Sequence, residues 1–491
     1  MGPVRQTDVM SPASDPHDEY ENPLATRYAG EAMRKLFSAR HRIRTWRSLW
    51  IILAEAEQAL GLPITATQLD DLRRNADRID FEAAARYEKR FRHDVMAHVH
   101  AYGDVAPSAK GVLHLGATSC YVTDNADAIL LREALQLVER GLAEAIAALE
   151  TFARRFAGTP CLAFTHFQPA QPTTVGKRAC LWLLDLVDDL AQVRRAVEEV
   201  PFLGSKGTTG TQASFLALFD GDADKVEALD RDVARRAGFP RSVPVSGQTY
   251  SRRADWKVMA TLGGIAISVT RFSNDVRLLS GLNELSEPFE AEQIGSSAMA
   301  YKRNPMRSER MASIARFLLS LVPAAGQTAA GQWLERTLDD SAARRLFLPE
   351  AFLATDAILR LLTNVARGLV VNEAVVATRL RAELPFMATE ELLMRATRAG
   401  GDRQALHEHI RRHSLDARAA ILAGATRNDL LDRLKADDAF AGVRGEIDAM
   451  VDPQRFIGIA PRQVERFLAE EVAPALAPYR DRLGADVRID V

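Results

Sequence analysis

Apolar residues recur every three or four positions through the middle of the chain, the spacing of long helices that pack on one face. The clearest run begins after Asp127 and contains no proline; its apolar positions are Leu131, Leu135, Val138, Leu142, Ile146, Leu149 and Phe156. Similar runs predict further helices over residues 177–200, 254–285, 306–322 and 341–371. The pattern therefore predicts a series of long helices in the middle of the chain.

This pattern favours an all-α fold, because no segment shows the alternating apolar and polar residues of a β-strand. No GxGxxG motif follows an apolar strand run either, which argues against a nucleotide-binding α/β sheet. The long helices have apolar faces wider than one partner would cover, so we expect other subunits of a homo-oligomer to bury part of them. Shorter helices flank the bundle, among them one around residues 43–60. We predict an N-terminal helical domain over 1–118, a central long-helix bundle over 119–371 and a C-terminal helical domain over 372–491, with residues 1–20 disordered.

Composition limits the partners that the chain can have. Of its 491 residues 47% are hydrophobic, and 63 basic and 65 acidic residues give a net charge of −2. With so small a net charge, the protein has no overall electrostatic field that would attract nucleic acid or an anionic membrane. Any anionic ligand must therefore be bound by local arginines. The three cysteines are too few for a disulfide framework and lack CxxC spacing. Without a signal-peptide core or a membrane-length apolar run, the sequence indicates a cytoplasmic protein.

Polar, glycine-marked segments interrupt the predicted helices. Each is rich in hydrogen-bond donors or titratable groups and lies near an expected helix end, where unpaired backbone N–H groups favour anions. Several such ends that converge would form an anion pocket. The segments are "RHDVMAHVH" (92–100), "HLGATSCYVTDN" (114–125), "THFQPAQPTTVGKR" (165–178), "GSKGTTGTQAS" (204–214), "SGQTY" (246–250), "GSSAMAYKRNPMRSER" (295–310) and "ERTLDDSAARR" (335–345).

Taken alone, each segment also has an ordinary structural explanation. The histidines of 93–100 lack HExxH spacing, so no metal site is expected there. The glycine loop at 204–210 lacks the Gly-Lys-Ser/Thr of a P-loop. Arg336, Arg344 and Arg345 would usually form a solvated helix face. The combination of segments is more informative than any one of them.

The stretch "GSSAMAYKRNP" resembles the GSSxMPxKxNP signature of the fumarase/aspartase superfamily, and the long-helix middle fits the tetrameric helical core of that superfamily. Together with the signature, the segments "RHDVMAHVH", "HLGATSCYV", "FTHFQPAQPTTVGKR", "KGTTGTQASF", "ERTLDDSA" and "LPFMATE" resemble the adenylosuccinate lyase family, from about Asn22 to about Pro478. One departure is Ala300, where the signature has proline; this changes the stiffness of the loop and no reacting group.

The resemblance implies cleavage of adenylosuccinate to AMP and fumarate, and of succinylated aminoimidazole carboxamide ribotide to its carboxamide and fumarate, without a cofactor or metal. It makes Ser296 the general base, His166 the general acid and Glu309 the partner of His166. A base removes a proton next to a carboxylate while an acid protonates the departing nitrogen. The serine needs N–H groups and positive charge to hold its alkoxide.

The resemblance and the chemistry together assign the remaining site residues. Lys302, Asn304, Thr118 and Ser119 are expected to hold the carboxylate that takes up the carbanion charge. The nucleotide phosphate and ribose are assigned to Arg27, Tyr28, Arg336, Ser341 and Arg345, and the rest of the pocket to Arg92, His93, Asp94, Gln248 and Arg310. The superfamily forms homotetramers in which each site draws on three subunits, so His166 and Ser296 of one site need not share a chain.

Two alternatives stay open. Another enzyme of the same superfamily, such as argininosuccinate lyase or aspartase, would use the same base loop on a different amine, but its substrate lacks a phosphoribosyl group for the arginines. A helical scaffold that kept the bundle and lost catalysis is the second alternative. The joint presence of Ser296, His166, Lys302 and Glu309 argues against it.

Overall fold

The computed structural model describes residues 18–484 and consists mainly of α-helices. A turn of π-helix at Leu24–Tyr28 comes first. The helices before the long ones are α1 (Glu31–Leu36), α2 (Ala39–Ala59), α3 (Ala66–Asn75), α4 (Phe81–Phe91) and α5 (Asp94–Val105), followed by a 3-10 turn at Pro107–Ala109. Helix α2 confirms the helix expected around 43–60. The predicted disorder of residues 1–20 lies outside the described residues except at 18–20.

The predicted long helices are all present. After α5 the chain forms α6 (Ser119–Arg155), strands β1 (Pro160–Thr165) and β2 (Gln168–Thr174), α7 (Val175–Glu199), α8 (Ala213–Leu218), α9 (Ala223–Arg236), α10 (Arg253–Gly281), strand β3 (Leu285–Ser286), α11 (Met306–Ala330), α12 (Asp340–Gly368) and strand β4 (Val370–Val371). The all-α class is confirmed, because β1–β2 and β3–β4 are only short antiparallel pairs.

Helices α6, α7, α10, α11 and α12 pack side by side as a bundle. The stripe of α6 faces its centre, where Leu142, Ile146 and Leu149 are fully buried. Burying each such side chain contributes about 1.5–3 kcal/mol. Gly176 lets α7 start close to the end of α6, because a Cβ there would lie 2.4 Å from the Ala153 carbonyl oxygen. The bundle is thus fixed by the periodicity read from the sequence and by one close backbone approach.

The remaining helices follow β4: α13 (Glu373–Met387), α14 (Thr389–Arg398), α15 (Arg403–Leu422), α16 (Leu430–Ala436), α17 (Ala460–Phe467) and α18 (Ala473–Leu476), with 3-10 turns at Asp438–Val451, Pro453–Arg455 and Ala477–Arg482 and a π turn at Leu468–Val472. Residues 388–450 form their own apolar core. The chain then returns to the bundle, where Arg194 Nε of α7 donates a hydrogen bond to Tyr479 Oη at 2.8 Å. None of the helices between residues 18 and 484 combines the length and the hydropathy that a membrane span requires.

Candidate active site

A cavity of about 640 Å³ lies between the first helices, the start of α6 and the start of α12. More than half of the predicted binding residues meet there although they come from distant segments. Those that line it are Arg92, His93, Asp94, Thr118, Ser119, Gln248, Arg336, Ser341 and Arg345. The structure therefore brings this group together within one chain.

The N-termini of α5, α6 and α12 all open onto this cavity. Their first turns begin after His93, Thr118 and Asp339. The first N–H groups of a helix have no partner within it, and the helix dipole adds positive potential at that end. Convergent N-termini favour an anionic ligand, as the segment pattern predicted.

The ring of His93 links α5 to α6. Its Nδ1 accepts the backbone N–H of Met96 at 3.3 Å, which caps α5. The other nitrogen, Nε2, therefore carries the proton and donates to Ser119 Oγ at 3.3 Å. Because its oxygen already accepts this bond, the Ser119 hydroxyl hydrogen is available to a ligand in the cavity.

Two predicted phosphate-binding arginines are held in place by carboxylates. Arg336 Nη1 lies 2.8 Å from Asp340 Oδ1, one turn further along the chain. Arg345 Nη2 lies 2.9 Å from Asp94 Oδ2 and is mostly exposed. These pairs use only part of the donor fork of each guanidinium, so the remaining N–H groups can bind a phosphate bidentately.

A buried ion-pair network lies under the cavity, and the sequence analysis did not identify it as part of the site. Arg252 donates from both Nη atoms to Asp124, at 2.8 and 3.1 Å, and from Nε to Asp340 at 2.6 Å. Burial opposes the charge of Asp340, yet the guanidiniums of Arg252 and Arg336 hold the pKa of that carboxyl below its ordinary value. The network thus ties α6, α10 and α12 together beneath the ligand space.

Arg344 belongs to the same network, so the expectation of a solvated helix face is wrong for this residue. Only 7% of its side chain is exposed. It donates to Asp255 at 2.7 Å and to Tyr250 Oη at 2.6 Å, and its Nη1 lies 2.9 Å from Asp127. The signal in the sequence was the i, i+4 spacing of Asp340 and Arg344, which places both on one face of α12.

The signature loop, residues 295–304, forms a closed turn of its own. Ser296 Oγ accepts the backbone N–H groups of Ala298 at 3.3 Å and Met299 at 3.2 Å. Asn304 Nδ2 donates to the Gly295 carbonyl at 2.9 Å and closes the neck of the loop. A Cβ on Gly295 would lie 2.2 Å from the Lys302 carbonyl oxygen, so only glycine allows this closure.

Lys302 belongs to this loop, Glu309 and Arg310 follow it, and none of the three lines the cavity. The side chains of Lys302 and Glu309 are exposed, and Arg310 is half-buried. Glu309 stands in the first turn of α11, near the positive end of that helix. Within residues 18–484 of one chain, the cavity and the signature loop are therefore separate.

His166 lies at the tip of the β1–β2 hairpin. Thr165 pairs with Gln168, so His166 and Phe167 form the two-residue turn. Both have positive φ, 54° and 56°, as this tight turn requires. The imidazole is exposed and has no carboxylate partner among the described residues of its own chain. The hairpin therefore presents His166 outward, away from its own bundle.

Arg27 and Tyr28 lie on the π turn that packs against α12, and they do not line the cavity. The guanidinium of Arg27 stands over the ring of Tyr28 at 5.9 Å, and Arg27 is exposed. The segment is anchored to α12, because Gly30 N donates to Asp356 Oδ2 at 2.5 Å. This anchor sets the position of the two residues relative to the cavity.

Solved structures share this fold. The crystal structure of 3-carboxy-cis,cis-muconate lactonizing enzyme from Pseudomonas putida matches with a TM-score of 0.79 at 24% identity, covering 94% of this chain and 99% of that one. The family model described as "Lyase" matches residues 31–318. The long-helix bundle therefore belongs to the lyase class, the fumarase/aspartase superfamily.

Curated relatives identify the family within this class. The adenylosuccinate lyase of Schizosaccharomyces pombe is 50% identical over 95% of this chain and 98% of its own, and that of Saccharomyces cerevisiae is 48% identical over 97% and 99%. A second family model, "Adenylosuccinate lyase C-terminus", matches residues 385–467. The chain belongs to the adenylosuccinate lyase family.

Proposed function

We propose that the chain eliminates fumarate from adenylosuccinate, giving AMP, and from succinylated aminoimidazole carboxamide ribotide, giving the carboxamide. Ser296 takes a proton from the carbon next to a carboxylate, the electron pair forms the C=C bond of fumarate, and the C–N bond breaks. His166 supplies a proton to the departing nitrogen. The step is balanced without a cofactor.

The observation that carries the proposal is that the cavity is built to bind an anionic ligand. Three helix N-termini and the free N–H groups of Arg336 and Arg345 face one cavity. Its volume, about 640 Å³, lies in the range of small-molecule sites. Argininosuccinate and aspartate lack a phosphate that would use these donors, so a phosphoribosyl substrate is favoured over the substrates of those related lyases.

The geometry of the signature loop supports Ser296 as the base. A serine alkoxide is too basic to form without stabilisation, and two backbone N–H groups already point at this oxygen. Lys302, which follows in the same loop, adds positive charge. We assign Lys302 and Thr118 to the carboxylate that takes up charge in the carbanion.

We further propose a homotetramer in which the sites are shared between chains. Large apolar side chains on the long helices are exposed in the single chain, among them Leu184 (55%), Ile267 (61%) and Leu278 (48%). At the cavity rim Leu338 is also exposed. Burying these faces between subunits would bring His166 and Ser296 of other chains to the cavity. A cytoplasmic location stays a prediction.

The test is to incubate the purified, assembled protein with each succinylated nucleotide and to follow the ultraviolet change while identifying AMP and fumarate. Argininosuccinate and aspartate serve as comparison substrates. We expect both succinylated nucleotides to be cleaved and the other two compounds to be left intact. The opposite preference, or no reaction by a verified tetramer, would contradict the proposal.

A further inference from the structure

The C-terminal helical region contains a compact group of two imidazoles and one carboxylate. His409 and His413 lie one turn apart on α15, and Asp437 follows α16. His409 Nδ1 and His413 Nε2 each lie 2.7 Å from the same oxygen, Asp437 Oδ2. All the ligand atoms lie within 4.8 Å of one another. We propose that this group binds a divalent transition metal of the zinc type.

The donor set selects the class of metal. Two imidazole nitrogens and one carboxylate oxygen suit Zn²⁺, Co²⁺ or Ni²⁺, whereas Mg²⁺ and Ca²⁺ prefer oxygen ligands only. Positions i and i+4 of a helix lie on one face, so His409 and His413 approach the ion together. Three protein ligands leave the fourth tetrahedral position for water.

The surroundings already orient these ligands. Asp437 Oδ1 accepts the backbone N–H of Ala439 at 2.9 Å, which turns Oδ2 towards the histidines. The His409 ring makes a T-shaped contact with the ring of Phe440, with centroids 6.5 Å apart. Ile410, beside His409 on α15, is buried in the C-terminal apolar core and fixes the rotation of the helix. Such supporting contacts set the geometry and affinity of metal sites.

One neighbouring cation competes with a metal. Arg412 Nη2 lies 3.3 Å from His409 Nδ1. A guanidinium can only donate a hydrogen bond and the Asp437 carboxylate can only accept one, so Nδ1 satisfies one of them at a time. A metal takes the Nδ1 lone pair and repels Arg412, whose side chain is exposed and can turn to solvent. Arg412→Gln should therefore strengthen metal binding.

The site joins α15 to the segment after α16, at the partly exposed edge of an apolar core separate from the bundle. None of its ligands lines the cavity of the candidate active site. Its role is therefore to clamp the C-terminal helices together, because an ion bound only by the folded arrangement stabilises that arrangement.

The experiment titrates the full-length, metal-free protein with Co²⁺ and follows the visible absorption of tetrahedral cobalt, with Zn²⁺ as competitor. We expect one site per chain that Zn²⁺ displaces. Variants His413→Gln and Asp437→Asn should lower affinity by at least about tenfold. Asn keeps the oxygen that caps the turn at Ala439, so Asp437→Asn removes the charged ligand while preserving the fold.

His407→Gln is the matched control, since His407 is exposed on the same helix and points away from the cluster at i−2. It should bind Co²⁺ like the unaltered protein. Circular dichroism and fumarate release verify that each variant is folded and assembled. Absence of the tetrahedral spectrum, or equal affinity for the unaltered protein, His413→Gln and Asp437→Asn, would overturn the proposal.

Discussion

Arg344 and Arg345 are adjacent and of the same residue type, but their side chains have different environments. Arg344 is buried among Asp127, Tyr250 and Asp255, whereas more than half of the Arg345 side chain is exposed beside Asp94. Removing one partner of a buried ion pair leaves an uncompensated charge, while an exposed pair contributes little. The first residue is structural and the second is available to substrate.

Arg344→Gln should lower the free energy of unfolding by about 3–5 kcal/mol, because Asp255 and Asp127 lose their partner. Arg345→Gln should change it by about 1 kcal/mol or less and raise the KM instead. Urea unfolding at equal protein concentration, together with steady-state kinetics, measures both effects. Equal losses of stability in the two variants would contradict the assigned environments.

Ser296→Ala and His166→Ala should each bind substrate and lose turnover by about 10²–10⁴-fold, the contribution of a positioned base or acid. Rapid mixing and equilibrium binding separate kcat from affinity. Ser297→Ala is the matched control for the base, since Ser297 is the exposed neighbour in the same loop. A near-normal kcat in either primary variant would remove that residue from the mechanism.

At the scale of single residues, the sequence predicted the site residues that lie in recognisable polar motifs. It assigned His93, Ser119 and Arg336 to one pocket, and they meet in the cavity. It did not include Arg252 or Asp340 in the site, because their role depends on which distant carboxylate or guanidinium lies opposite, and no spacing rule gives that contact. The roles of Ser296 and His166 stay predictions.

At the scale of elements, the apolar periodicity of α6 predicts most of the helix but not its first turns. The apolar stripe after Asp127 predicted the helix, but α6 begins at Ser119. Its first turns carry polar side chains towards the cavity, so the stripe is missing where the helix serves the site. Helix α11 likewise continues through Pro323 to Ala330, beyond the expected end at 322, because packing in the bundle offsets the lost backbone hydrogen bond.

The β1–β2 hairpin was not predicted, for a different reason. Strand β2 contains Pro169 and Pro172, which cannot donate ladder hydrogen bonds and mask a strand in the sequence. A two-stranded ribbon tolerates these prolines because both of its strands are edge strands, in which some backbone N–H groups need no ladder partner. The short hairpin nevertheless determines how His166 is presented.

Helix α2 carries a buried carboxylate that should make the free energy of unfolding depend on pH. Glu57 is fully buried, and neither carboxylate oxygen has a hydrogen-bond partner among the described residues. Burial raises its pKa to about 9 from an ordinary value of 4.5. Between these values the folded state holds a proton that the unfolded state has released, so stability is greatest below the lower value and falls as pH rises towards about 9.

Glu57→Gln should remove the contribution of Glu57 to this slope, most clearly between about pH 7 and 9, and raise the free energy of unfolding by a few kcal/mol near pH 8, since the amide carries no charge to bury. Chemical unfolding from about pH 5 to 9 measures it. Glu55→Gln, in the same helix but ion-paired with Arg73 and Arg236, should keep the slope of the unaltered protein. If Glu57→Gln retains that slope, the buried carboxylate does not cause it.

At the scale of the whole molecule, one chain holds the cavity while the predicted base and acid lie on other surfaces. His166 is exposed at a hairpin tip, Ser296 lies in a loop outside the cavity lining, and apolar faces of the long helices are open. Periodicity predicted these faces, because the apolar stripe exceeds what the chain itself covers. We propose that assembly both buries them and completes the site.

The most direct test of this account mixes the inactive variants Ser296→Ala and His166→Ala, dissociates them and reassembles them as mixed tetramers. If a site takes its serine and its histidine from different chains, random 1:1 assembly leaves about a quarter of the sites with both groups intact, so about a quarter of the normal fumarate release should return. Verified mixed tetramers that stay inactive would contradict a site shared between Ser296 and His166 of different chains.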